Sequence, residues 1–339
     1  VKGLLDAPVR AGIGPKLRPR IPASQPRQFK RILVPLDFSR PSLKAIPYAL
    51  AISRQFGADV HLLHVTDLTQ EPPPTLLTLP LVPRAEWNRR FLKRLRAITL
   101  KYRTSGKVHV LKPREGVAYE EICATARELR ADLIVIATHG YTGYKHMFLG
   151  STAERVVQHS ACPVLVVRQP FRQLNGSDNP RIRTGFRLRK ILTPTDFSEC
   201  ARVGFNYGAQ LAREFKAQLR LVHVIKPHGY RLGDQYAAID SNRSMREAAD
   251  KAQKEMRLMA SRASVRCSVR VIHGSPALQI CNAANEDIDL IVISTHGRTG
   301  PWHLLIGSVA EDVVRYAHRP VLVIPVHGSR IAFRSRKSK

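Results

Sequence analysis

The chain repeats itself, and the repeat constrains its fold more than any other feature. Residues 31–39 (RILVPLDFS) return as 190–198 (KILTPTDFS), and 62–65 (LLHV) as 221–224 (LVHV). Residues 132–140 (DLIVIATHG) return as 289–297 (DLIVISTHG), 150–154 (GSTAE) as 307–311 (GSVAE), and 163–167 (PVLVV) as 320–324 (PVLVI). The offset is 159 residues at the start and 157 at the end. A solenoid repeats every 20–50 residues or so, so a period this long means two similar domains. A chain of 339 residues has room for two.

Each copy alternates short β-rich runs with helical stretches. In the first, strands are expected at 31–36, 59–65, 107–112, 132–138 and 163–167. Helices are expected at 40–56, 84–104, 117–130 and 152–160. Strands apolar on both faces, alternating with helices, imply a parallel sheet covered on both sides. Right-handed crossovers then give a doubly wound α/β domain.

Charge divides the chain further. The formal net charge is +29, with 55 Lys+Arg against 26 Asp+Glu. More than half of it lies in 1–30, 168–190 and 325–339, segments without apolar periodicity. The expected organisation is therefore a basic tail (1–30), a first domain (31–168), a basic linker (169–189), a second domain (190–326) and a basic tail (327–339). A further basic run, 84–114, places Trp87, Phe91, Leu95, Ile98 and Tyr102 at helical spacing. It reads as an amphipathic helix whose basic outer face is either solvated or polyanion-binding. No base-stacking motif accompanies it, which favours the solvated face. Five widely spaced cysteines show no CxxC pair, arguing against a disulfide framework or zinc module and for a reducing, cytoplasmic setting. No apolar run is long enough for a transmembrane helix, so no membrane partner is expected.

In doubly wound sheets, ligands bind beyond the carboxyl ends of the strands at the topological switch point. The first strand of each copy ends there in Pro35-Leu36-Asp37 and Pro194-Thr195-Asp196. The fourth runs through Ala137 into Thr138-His139-Gly140, and through Ser294 into Thr295-His296-Gly297. Gly150-Ser151-Thr152 and Gly307-Ser308-Val309 then open the next helix. Glycine lets backbone amides approach an anion, and a helix N-terminus offers free N–H groups and partial positive charge. Asp37 is placed to accept hydrogen bonds from a ribose or a base. The blander reading makes Ser151-x-x-Glu154 and Ser308-x-x-Glu311 capping boxes that need no ligand. His139 and His296 are read as turn residues and not as catalysts, since no orienting partner is visible. His64 and His223 are read as core histidines. Ser39 and Ser198 are better helix caps than Asp37 and Asp196.

These motifs together resemble a tandem universal stress protein, over about 31–167 and 190–325. The resemblance implies Rossmann-like domains, each with a five-stranded parallel sheet of order 3-2-1-4-5. It implies an adenine-nucleotide site, for ATP with Mg2+ as companion ion, under a G-x2-G-x9-G-S/T signature. Pro35, Leu36, Asp37 and Val65 then surround adenine and ribose, and His139, Gly140, Gly150, Ser151 and Thr152 the phosphates. The second set is Pro194, Thr195, Asp196 and Val224 with His296, Gly297, Gly307, Ser308 and Val309. Both copies depart at the first signature glycine, where Ala137 and Ser294 stand. The resemblance also implies self-association through the final strands, Val164–Val167 and Val321–Ile324, within one chain or as a homodimer. The leading expectation is a non-enzymatic, nucleotide-linked stress-response switch. The alternatives are a nucleotide-independent scaffold and nucleic-acid association through the basic tails.

Overall fold

Runs of Val, Ile and Leu that are buried on both sides build the centre of each half. The computed structural model describes residues 29–66, 84–102, 108–137, 150–168, 188–226, 235–295 and 306–326. The first half runs β1 (Arg31–Pro35), α1 (Ala45–Phe56), β2 (Asp59–Leu63), β3 (Val65–Thr66), α2 (Arg84–Tyr102) and β4 (Val108–Val110). It continues with β5 (Arg114–Glu115), α3 (Ala118–Glu128), β6 (Leu133–Ala137), α4 (Ser151–His159) and β7 (Val164–Val167). The second runs β8 (Lys190–Pro194), α5 (Glu199–Phe215), β9 (Gln218–Ile225), α6 (Gln235–Ser261) and β10 (Cys267–His273). It ends with α7 (Pro276–Asp287), β11 (Leu290–Ser294), α8 (Ser308–Tyr316) and β12 (Val321–Ile324).

The two sheets are one. Ten strands lie in the order β10-β9-β8-β11-β12-β7-β6-β1-β2-β4. Counting only the strands of this sheet, which leaves out β3 and β5, each half reads third, second, first, fourth, fifth. Every neighbouring pair is parallel except β7 and β12, which meet antiparallel with Leu165 opposite Leu322. Each of these strands hides the edge that the other would leave bare. Of the two arrangements expected for the final strands, the pairing is the one within a single chain.

Alternation along each strand divides the apolar residues between two layers. Ile32, Val34, Leu133, Val135 and Leu165 face α1, α2, α5 and α6, whereas Leu33, Ile134, Ile136 and Val164 face α3, α4, α7 and α8. Both layers run across the junction. Phe56 of α1 meets Phe215 of α5 edge-on, with centroids 5.0 Å from Phe29 and 5.4 Å from Phe215 respectively. A cavity of about 20 Å³ lies in this seam, lined by apolar residues including Leu133, Leu165, Leu211, Leu290 and Leu322.

Local departures from expectation have local causes. The strand expected over 59–65 breaks at His64. Beyond it the chain leaves β4 and pairs with β5, as a separate two-stranded sheet. The helix expected from residue 40 begins with a 3-10 turn at Ser42–Lys44, set up by the Ser42 N–H donating to Ser39 Oγ at 3.1 Å. In the second half Ser198 caps α5 directly, its Oγ accepting from the Ala201 N–H at 3.1 Å. No described helix is long and apolar enough to cross a membrane.

Candidate functional site

The strands β1 and β6 are parallel neighbours, so Leu36-Asp37 and Ala137 leave the same edge of the sheet. That edge is held by a histidine. His64 is buried, and its Nδ1 lies 2.7 Å from the Leu36 carbonyl oxygen. Burial pushes its imidazole below the ordinary value of 6.5, so the ring is neutral and Nδ1–H donates to the carbonyl. His223 repeats the contact with Thr195 O at 2.8 Å. The histidine of the L-x-H-V motif thus clamps the end of the first strand to the second. Phe38 packs against the clamp at a tilt, its centroid 5.0 Å from that of the His64 ring, as Phe197 does at 4.6 Å from His223.

The aspartates turn the chain just past this clamp. Asp37 Oδ1 accepts from the Ser39 N–H at 2.9 Å, and Asp196 Oδ1 from the Ser198 N–H at 3.0 Å. Between them Phe38 and Phe197 sit at φ 62° and 65°, in the left-handed region. Large side chains occupy that region at a cost of about 1–3 kcal/mol, which the side-chain turn and the ring contacts offset. The side-chain turn holds Asp37, half-buried, at the rim of the sheet.

A helix starts at the same end of the sheet in each half, because α4 joins the parallel strands β6 and β7 and α8 the parallel strands β11 and β12. The N-cap residues are Gly150 for α4 and Gly307 for α8, neither with a side-chain cap bond. This corrects the capping-box reading: Ser151 and Ser308 are the first helical residues. Both are exposed, and Glu154 engages Gln158 (3.4 Å) and Arg315 (3.9 Å). First-turn amides that no side chain caps, together with the helix dipole, form an anion-binding end. In the second half Gly307 N–H donates to Thr295 O at 2.6 Å, tying the helix start to the end of β11. Thr152 is half-buried, while Val309 packs on the apolar layer beneath α8.

Ala137 and Ser294, at the first signature position, end β6 and β11 as ordinary extended residues, and neither has a positive φ. No glycine is required there. The Ala137 side chain lies in the apolar layer with Val34 and Val135. Val65 and Val224 stand half-buried past the clamp histidines, and Pro35 and Pro194 close β1 and β8. His139, Gly140, His296 and Gly297 lie outside the described residues, as do nearly all of the two tails and the linker.

The basic helix α2 also reaches this region. Phe91 stacks on Phe38 with centroids 5.5 Å apart and packs 4.1 Å from His64. Arg94 lies over the Phe38 ring at 4.8 Å. Leu95 is fully buried, and Arg89, Arg90 and Lys93 are exposed. One of its cations is therefore structural; sequence reasoning found the helix but not that contact, which the helical phase of Phe91 and Arg94 foreshadows.

Comparison with known proteins agrees with the tandem arrangement and the fold. The universal stress protein family matches residues 28–168 and again 187–325. Universal stress protein MJ0531 of Methanocaldococcus jannaschii is 34% identical over 148 residues, covering 43% of this chain and 85% of that protein. Universal stress protein YxiE of Bacillus subtilis is 32% identical over 147 residues, covering 41% and 99%. A universal stress protein structure from Archaeoglobus fulgidus superposes with a TM-score of 0.61 at 20% identity, covering 88% of this chain and 97% of that one. The functionally unknown protein PA1789 of Pseudomonas aeruginosa gives 0.59 at 18%, covering 88% and 92%. The last two likenesses concern the fold.

Proposed function

The chain belongs to the universal stress protein family as two copies in tandem, and on that premise we propose that it binds an adenine nucleotide at the C-terminal edge of each half. The ligand is ATP, with Mg2+ as companion ion. Binding, not turnover, is the activity: the occupied and empty forms present different surfaces to cytoplasmic partners.

The uncapped first turn of α4, at the same C-terminal end of the sheet as Asp37 because α4 joins the parallel strands β6 and β7, carries this reading. Amides and hydroxyls of Ser151 and Thr152 take the phosphates. Asp37 accepts from ribose, and Leu36 and Val65 flank the base, with His139 and Gly140 completing the phosphate side. The second half offers Thr195, Asp196, Val224, Gly307 and Ser308 in the same roles. It lacks the hydroxyl of Thr152, since Val309 stands there, so the first site binds more tightly.

Calorimetric titration of the nucleotide-free full chain with ATP tests the placement. Asp37→Ala and Gly150→Val each weaken the first site at least about tenfold, the worth of one charge-assisted hydrogen bond or one obstructed approach. Gly150 sits at φ −60°, ψ 136°, a conformation valine adopts readily, so the fold survives. Unchanged affinity in both variants, with unchanged circular dichroism, refutes the placement.

A further inference from the structure

At the opposite edge of the first half, away from the nucleotide site, three ligand-bearing side chains converge. Asp59 and His61 share one face of β2, by the two-residue period of a strand. The register sets His61 directly opposite His109 on β4, and their rings stack with centroids 4.8 Å apart at 17°. His109 Nε2 lies 3.9 Å from Asp59 Oδ2. One donor atom from each of the three lies within 4.8 Å of the others.

His61 is 9% exposed, and both its ring nitrogens are buried without a hydrogen-bond partner among the described residues. Buried polar groups are normally satisfied, so this ring calls for an explanation. The second half supplies the contrast. There Gln218, Arg220 and Ser268 take the places of Asp59, His61 and His109. Arg220 is satisfied by Glu286 and Asp287 at the end of α7, both at 3.1 Å. Counting back from the matching Asp289 and Asp132, the first half has Leu129 and Arg130 where those carboxylates stand. The protein partner that completes one half is missing from the other, and two imidazoles and a carboxylate have gathered in its place.

We propose that Asp59, His61 and His109 form a binding site for one divalent transition-metal ion of the Zn2+ class. Neutral imidazole nitrogens with one carboxylate oxygen are borderline ligands that suit Zn2+, Co2+ and Ni2+. Three protein ligands leave a fourth position to water. The ion draws each donor to about 2.0–2.2 Å. His109, half-exposed on the short edge strand β4, is the ligand free to swing inward. Bound there, the ion joins β4 to β2 and fastens the outermost strand of the sheet. Arg31, in register with Asp59 on β1, places a positive charge on the same face and moderates the affinity.

The test is titration of the metal-stripped, untagged full chain with Co2+ under reducing conditions, followed by displacement with Zn2+. The expected result is one Co2+ per chain, with visible d–d bands and no thiolate-to-metal band. His109→Ala and Asp59→Asn each weaken binding at least about tenfold, because even outer-shell partners are worth that much. Arg31→Gln tightens it. His109 is half-exposed, so its variant keeps the fold, and circular dichroism verifies this. Absence of saturable binding, a thiolate band, or affinity unaltered in both ligand variants overturns the site.

Discussion

Leu322→Ala probes whether the two halves behave as one body. Leu322 is 3% exposed and sits opposite Leu165 in the antiparallel pair that joins the halves. It borders the cavity of about 20 Å³, whose lining includes Leu133 and Leu165 from one half and Leu211 and Leu290 from the other. Truncation removes three carbons, worth about 0.8 kcal/mol each or about 2.4 kcal/mol together. It also enlarges a void that both halves wall in, and a seam packed by rigid strands collapses poorly. The cavity contribution brings the expected loss to about 4 kcal/mol, in the upper part of the Leu→Ala range. Urea unfolding gives the total, and amide hydrogen exchange in β6 and β11 shows where it falls. Protection should drop in both strands. A loss below about 1 kcal/mol, or one confined to β11, refutes a shared core.

Other expectations follow from single contacts. Gly208 lies on the face of α5 against β8, and a methyl group there runs into Thr193 Cγ2. Gly208→Ala gains about 1 kcal/mol of helix propensity and loses about 1–3 kcal/mol to overpacking. Adding Thr193→Ser, which deletes that methyl, should make the double variant more stable than Gly208→Ala alone; denaturant midpoints decide it. The His64 imidazole is held below 6.5 by burial, so the unfolded chain takes up the proton first as pH falls. Its stabilising contribution is complete above about pH 6.5 and is lost on acidification, so stability should be lower at pH 5 than at pH 7. An NMR titration placing His64 above 6.5 contradicts this. Hydrogen bonds from Arg270 and Lys190 hold the Glu286 and Asp287 carboxyls below their ordinary values of 4.5 and 3.8. A further loss is therefore expected below about pH 4.5, and Arg270→Ala should reduce it in the same unfolding series.

The repeat, the strand runs and the glycine-serine helix starts were legible because each is a local pattern with a local physical cause. Ile32 to Val34 and Leu133 to Ala137 read as buried strands because nothing polar interrupts them. What pattern cannot carry is register. The pair of Leu165 with Leu322 joins residues 157 apart, and only the family resemblance suggested it. The His61–His109 pair is also a product of register, since each histidine alone is an ordinary residue in a β-rich run. The D-x-H at 59–61 and the V-H-V at 108–110 were the available signals. Ser151-x-x-Glu154 is misleading for another reason: the helix starts one residue earlier than a serine cap requires, so Gly150 takes the capping position and Ser151 becomes the first helical residue. Ala137 stands where the family signature has its first glycine. The strand simply extends through that position with a negative φ, which alanine tolerates.

The central claim is that each half presents a working nucleotide pocket. The most direct measurement is the nucleotide content of the freshly purified chain, by acid extraction and chromatography, with calorimetric ATP titration of the stripped protein at two temperatures. The account predicts bound adenine nucleotide, or saturable binding at one to two sites per chain with the first half tighter. No extracted nucleotide and no binding heat at either temperature would contradict it, and would leave a nucleotide-independent scaffold as the better description of this fold.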